Sequence, residues 1–270
     1  MIAAALFTAA IPCVAMGCAF LIERRTGRSG WIDVIWTFSV GVAALAALSV
    51  AAVPAGRGAL LAALVAAWSL RLGLHIAVRA RRAGVDPRYA ELIKDWGSAA
   101  DVKLFAFLQA QAGAALVLIG AVLAAALSPA RATSPASLAL AALAAASILG
   151  EALADAELAA CKRNPPASGV CECGLWRLSR HPNYFFEWLF WVAIAGLALV
   201  PPASPLSFAA LAAPAMMYAL LRYGSGVPHL EAHMRRTRPA AFADYARRTP
   251  VFFPSLRLCA RPRHESGPLD

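Results

Sequence analysis

The strongest constraint on this chain is a succession of apolar blocks, each long enough to cross a hydrocarbon layer about 30 Å thick. They run over roughly 2–22, 31–53, 58–79, 104–127, 136–160, 183–200 and 205–223. Lipid supplies no partners for backbone N–H and C=O groups, so only helices and closed barrels span it. Barrel strands alternate polar and apolar residues. These blocks are continuous Ala, Leu and Val runs, which predicts an all-α, polytopic membrane protein with seven transmembrane helices. Composition agrees, since 60 % of the chain is hydrophobic against about half in soluble domains. With no internal repeat or linker, residues 1–260 read as a single membrane domain, and 261–270 as a disordered tail. The first block lacks the basic residue that precedes the apolar run of a signal peptide, so it reads as a span.

The net charge of +10 raises the possibility of a nucleic-acid partner, but its distribution argues against one. Arg24, Arg25 and Arg28 follow the first block; Arg79 to Lys103 follow the third; Lys162, Arg163, Arg177 and Arg180 follow the fifth; Arg235 to Arg263 follow the seventh. The alternate loops hold only Arg57, only Arg131, and none. That is the positive-inside pattern, with the N-terminus outside and the C-terminus in the cytoplasm. Membrane lipids account for the remaining basicity, and neither nucleic acid nor an obligate protein partner is expected. Cys161, Cys171 and Cys173 then fall on the cytoplasmic side, where thiols stay reduced. Cys171 and Cys173, near His181, offer zinc ligands, but the spacing fits no common zinc framework, and no metal is expected.

Ionisable groups inside a span are costly unless they face protein or water. Here they line up. In "WSLRLGLHIAVR", Trp68, Arg71, His75 and Arg79 step by three, four and four, one helical face. In "GEALADAELAACK", Glu151, Asp155 and Lys162 share a face. In "LSRHPNYFFEW", Arg180, Asn183 and Glu187 form one stripe; His181, Tyr184 and Trp188 form its neighbour. "WIDVIW" adds Asp33 and Trp36 one turn apart. All four stripes sit at the cytoplasmic ends of their spans, which predicts a hydrated, charged pocket opening to the cytoplasm. Arginines suit phosphates, carboxylates suit ribose hydroxyls, and an amide with a carboxylate suits a carboxamide. NADPH meets that description. Gly224-Ser-Gly226 is not a Rossmann fingerprint, so a dinucleotide would have to be held by the membrane fold itself.

"SRHPNYFFE", preceded by "GLW" and "EALAD", resembles the C-terminal region of steroid 5α-reductase-like membrane proteins, and more closely a bacterial branch of that superfamily. "WSLRLGLHIAVR", "DPRY" and "SGVPHLEAHM…FADYARRTPVFFP" extend the resemblance from about Asp33 to Pro254. It implies a seven-helix fold in the bacterial inner membrane, an active site on the cytoplasmic side, and NADPH-dependent reduction of a carbon–carbon double bond conjugated to a carbonyl. The substrate would be a lipid-soluble small molecule. Asn183 and Glu187 would lie against the nicotinamide. Glu151, Asp155 and Lys162 would contact the ribose and phosphate part. His229, Glu231 and Arg235 would close over the cofactor, with Arg71, Arg79, Arg180, His181 and Tyr184 completing its surroundings.

Steroid reductases use a Tyr and a carboxylate on the second and third spans. Trp68 falls where that Tyr is expected, Asp33 is the nearest carboxylate, and His75 is another proton source, so these three are the catalytic candidates. Phe186 is a further departure, because the family commonly has Gly before the Glu. The same His181, Tyr184 and Glu187 also resemble the S-adenosylmethionine site of isoprenylcysteine carboxyl methyltransferase. The polar faces on the second and third spans favour the larger dinucleotide.

Overall fold

The computed structural model describes residues 2–255, with side chains throughout except at residues 2–7 and at 206. The expected disordered tail, 261–270, lies outside the described residues. Among the described residues ten α-helices appear in chain order: α1 (Ile2–Thr26), α2 (Trp31–Val50), α3 (Ala55–Ala83), α4 (Pro87–Trp96), α5 (Ala100–Leu127), α6 (Pro135–Arg163), α7 (Pro182–Leu199), α8 (Ala212–Tyr223), α9 (Val227–Thr237) and α10 (Pro239–Arg248). There is no strand among the described residues.

Among the described residues, five segments are long and apolar enough to cross a membrane: α2, α3, the run Pro87–Leu127 that joins α4 to α5, α6 and α7. The block read as a seventh span is not one continuous α-helix. Pro205–Leu211 forms a 3-10 segment whose start is fixed by a reciprocal Ser204–Ser207 cap, and only the 12 residues of α8 follow.

Boundaries follow local chemistry. Ser134 caps α6 by accepting from Ser137 N–H, with Pro135 in the first turn, where its missing N–H costs nothing. Asp86 caps α4 by accepting from Arg88 N–H, with Pro87 next. Gly84 ends α3 at φ 68°, a conformation that favours glycine.

The main core joins α2, α3, α5, α6, α7 and α8, and much of it is alanine, including Ala43, Ala44, Ala115, Ala144, Ala193 and Ala198. Small side chains let helices approach closely, the main source of packing energy in lipid. Two glycines show how close. A Cβ on Gly73 of α3 would lie 2.6 Å from the Phe38 ring of α2, and one on Gly150 of α6 would lie 2.5 Å from the Phe186 ring of α7. A smaller core of Met16, Ile32, Tyr89, Leu104 and Leu108 joins α1, α2, α4 and α5.

After α10 the chain returns to the segment before α7. Arg180 N–H donates to Pro250 O at 2.9 Å and Ser255 N–H to Leu178 O at 3.0 Å. Phe252 and Phe253 then pack edge-on against Trp188.

Candidate functional site

The polar stripes meet inside the bundle as three clusters. The first joins α3, α6 and α7. Arg71 places Nη1 2.8 Å from Glu151 Oε1 and bonds Asp155 through Nη2. Asn183 Nδ2 donates to Asp155 Oδ1 at 3.3 Å, and His75 Nε2 lies 3.6 Å from Asp155. Glu187 is held by two indoles: Trp68 Nε1 donates at 2.8 Å and Trp191 Nε1 at 2.9 Å. Trp68 is fully buried, stacked on Phe190 and edge-on to Trp191. Three carboxyl groups thus face one guanidinium. The amide oxygen of Asn183 is buried with no hydrogen-bond partner.

The second cluster joins α2, α4 and α5. Tyr89 O–H donates to Asp33 Oδ1 at 2.8 Å and accepts from Gln111 Nε2 at 2.9 Å. Arg88 bonds Asp33 and lies 2.9 Å from Asp86 Oδ2. Burial alone would push the Asp86 carboxyl up, but its bonds to Arg88 outweigh that and hold it below the usual range. Tyr184 of α7 is within electrostatic reach of Arg88, Arg79, Asp33 and Asp86 of this second cluster.

The third cluster ties the tail to the segment before α7. Arg180, buried, donates through Nε to Glu231 Oε1 at 2.8 Å and through Nη1 to Thr249 O at 2.7 Å. Arg235 reaches Glu231 Oε2 at 3.0 Å and His181 Nε2 lies 3.4 Å from Oε1. Burial pushes Glu231 up, yet the bonds from His181 and Arg180 prevail and hold it down at about 2. Burial lowers His181, so its imidazole favours the neutral form. The His181 ring stacks on Tyr184, linking this cluster to the others.

The expected site residues therefore separate. Arg71, His75, Glu151, Asp155, Asn183, Glu187 and Trp68 come together. Asp33 sits with Arg88 and Tyr89, and Arg180, His181, Glu231 and Arg235 form the tail junction. Arg79, half exposed and 3.6 Å from Asp86, lies at the rim. Lys162 is exposed at the end of α6, and His229 is half-buried on α9. The two cavities described lie elsewhere: one of about 510 Å³ lined mostly by apolar side chains of α1, α2 and α3, with Ser39 and Arg81 among them, and one of about 390 Å³ beside α1, α4 and α5. Tyr89 and Arg88 escaped sequence reasoning as site residues. The available signal was the Asp86-Pro87 helix start, which turns Tyr89 inward on a helix of its own.

An all-helical, membrane-embedded chain that buries clustered charge between its apolar helices is the class defined by this geometry. The chain belongs to the family described as protein of unknown function (DUF1295), whose model matches residues 19–249 and which includes steroid 5α-reductase-like proteins. No curated protein and no solved structure matches it.

Proposed function

We propose that this protein is an NADPH-dependent membrane reductase of the bacterial steroid 5α-reductase-like branch, acting on the carbon–carbon double bond of a lipid-soluble enone. The observation that carries the reading is the Asn183 amide oxygen, buried and unpartnered beside Glu187, Asp155 and Arg71. A buried acceptor without a donor is costly, and the N–H of a carboxamide satisfies it. The rest of the residue set fits the same ligand. Arg79, Lys162 and Arg235 are exposed at the cytoplasmic rim and suit its phosphates, while Asp155 suits a ribose hydroxyl.

NADPH held by Asn183 and its neighbours would supply a hydride for the β-carbon of the enone. Negative charge then develops on the carbonyl oxygen, and a donor must meet it. The Trp68 N–H is committed to Glu187. Tyr89 is the better donor because a phenol can give up its proton where an indole cannot: its O–H, donated to Asp33 with Gln111 bonded to the same oxygen, would turn from Asp33 to the substrate, while the Arg88 guanidinium keeps Asp33 oriented. Asp33 acts here as the positioning carboxylate. The α-carbon takes its proton from the Tyr89 side, and solvent at the cytoplasmic face restores it.

The orientation proposed with this function is N-terminus outside and C-terminus in the cytoplasm of a bacterial cell. It takes α1, 25 residues long, and the broken element 205–223 as the sixth and seventh crossings. The basic residues near the ends of α3 and α6 and in α9 and α10 then share the inner face.

Three carboxyl groups around one guanidinium also suit a sulfonium, so S-adenosylmethionine is the comparison arm of the test. Detergent-purified protein is melted with each ligand at about 100 times its Kd, where binding to the folded state alone adds about 2.7 kcal/mol. Stabilisation by NADPH and not by S-adenosylmethionine is expected. The reverse pattern overturns the reductase.

A further inference from the structure

The sequence scatters Cys161, Cys171 and Cys173 over the end of α6 and the loop beyond it. The fold brings all three together. Their sulfur atoms lie within 4.8 Å of one another, the one group of three or more His, Cys, Asp or Glu ligand atoms so placed among the described residues. Cys161 and Cys171 are joined as a disulfide, and Cys173 Sγ sits 3.3 Å from Cys161 Sγ and 3.6 Å from Cys171 Sγ. A disulfide uses two sulfurs. It does not account for a third thiol converging on the same point.

We infer that the dithiol form of this cluster is a zinc site with Cys161, Cys171 and Cys173 as ligands. Thiolates bound tetrahedrally at about 2.3 Å are about 3.8 Å apart, near the spacing of Cys173 from both partners. Zinc takes the sulfurs as thiolates, so three protons leave as it binds. Reaching that form from the disulfide takes two electrons and two protons from a cellular thiol reductant. The cytoplasmic side favours the dithiol, so the inference rests on the orientation proposed above and not on the reductase reading. Lys162 and Arg163, next to Cys161, offset the negative charge of a three-thiolate zinc centre. The fourth position is left to water, since Glu157 is bonded to Leu175 N–H and Glu172 to Arg248.

The site's position gives it a purpose. It clamps the end of α6, which carries Glu151 and Asp155, to the loop that carries Ser179, Arg180 and His181. A Cβ on Gly174 would collide with Glu157 of α6, so this loop already lies tight against the helix one residue beyond Cys173.

The test uses the full-length protein, extracted in detergent with a thiol reductant and no chelator. Metal analysis by mass spectrometry should find about one zinc per chain, and exchange into cobalt(II) should produce a thiolate-to-metal charge-transfer band. Cys173→Ser should weaken zinc binding at least about tenfold, because even outer-shell changes cost that much. The triple serine variant, checked for an unchanged size-exclusion profile, should hold none. Zinc no higher in wild type than in the triple variant overturns the inference. So does alkylation of freshly lysed, unreduced cells that shows Cys161 and Cys171 joined and Cys173 free, which would mark a disulfide and a spare thiol. NADPH binding enters neither readout, so failure here leaves the reductase reading standing.

Discussion

Arg57 offers the sharpest test of how the bundle is held together. Its position between Pro54, Gly56 and Gly58 makes it look like a loop charge facing headgroups. In the fold it is 2 % exposed. Its guanidinium bonds Ala125 O near the end of α5, Ala130 O in the loop beyond it, Ser137 Oγ at the start of α6, and Leu197 O near the end of α7. The last carbonyls of a helix have no partner within it, and their partial negative charge favours a cation. Arg57 thus ties together three helix ends with one planar fork of donors. Arg57→Ala leaves three carbonyls bare, each costing about 1–3 kcal/mol. Allowing for partial repair by water, the loss should be about 4 kcal/mol. At about 2–4 °C per kcal/mol for a domain of this size, the melting temperature should fall by about 8–16 °C. Arg57→Lys, a point donor that cannot reach all three groups, should lose roughly half as much. Arg57→Met keeps the stem and removes the donors. If it melts with the wild type in a detergent thermal-shift assay, the side chain merely fills space and the hydrogen-bond account is wrong.

Two further outcomes follow from the other clusters. Tyr89→Phe removes the proposed acid and keeps the ring, leaving Asp33 with Arg88 alone; enone reduction should drop by about 10²-fold or more with the NADPH dissociation constant unchanged. Unaltered turnover would exclude Tyr89 as the donor. Glu231→Gln strips Arg180 of its buried partner and should cost about 3–5 kcal/mol at neutral pH. It should also flatten the acid limb of the melting profile. Glu231 is depressed to about 2, so its contribution is complete above the ordinary carboxyl range and fades as pH falls toward 2. His181, lowered by burial, contributes above its ordinary value and loses that contribution as acid protonates it. A variant profile parallel to wild type between pH 5 and 3 would contradict the role given to Glu231.

The stripes on α3, α6 and α7 were readable because helical spacing alone aligns Arg71 with His75 and Glu151 with Asp155. Spacing cannot show which stripe meets which. Asp33 was grouped with Trp68, but its partners Arg88 and Tyr89 come from α4, a separate helix started by Asp86 and Pro87. Hydropathy counted Arg57 as an outward charge because it cannot see carbonyls 68 to 140 residues away. The same blindness merged Pro205–Leu211 with α8, since apolar composition does not record a serine cap. Cys161 gave no signal beside Cys171 and Cys173 because the loop that joins them has to fold first.

The contact between Phe186 and Gly150 changes how a difference at position 186 should be judged. Gly150 leaves a notch on α6, and the Phe186 ring of α7 is seated in it. Bulk on one wall is matched by its absence on the other. Positions 150 and 186 therefore have to be judged as a pair. Glycine at 186 alone would open a gap against Gly150, a larger side chain at 150 alone would collide with the ring, and only the double exchange keeps the two helices in contact.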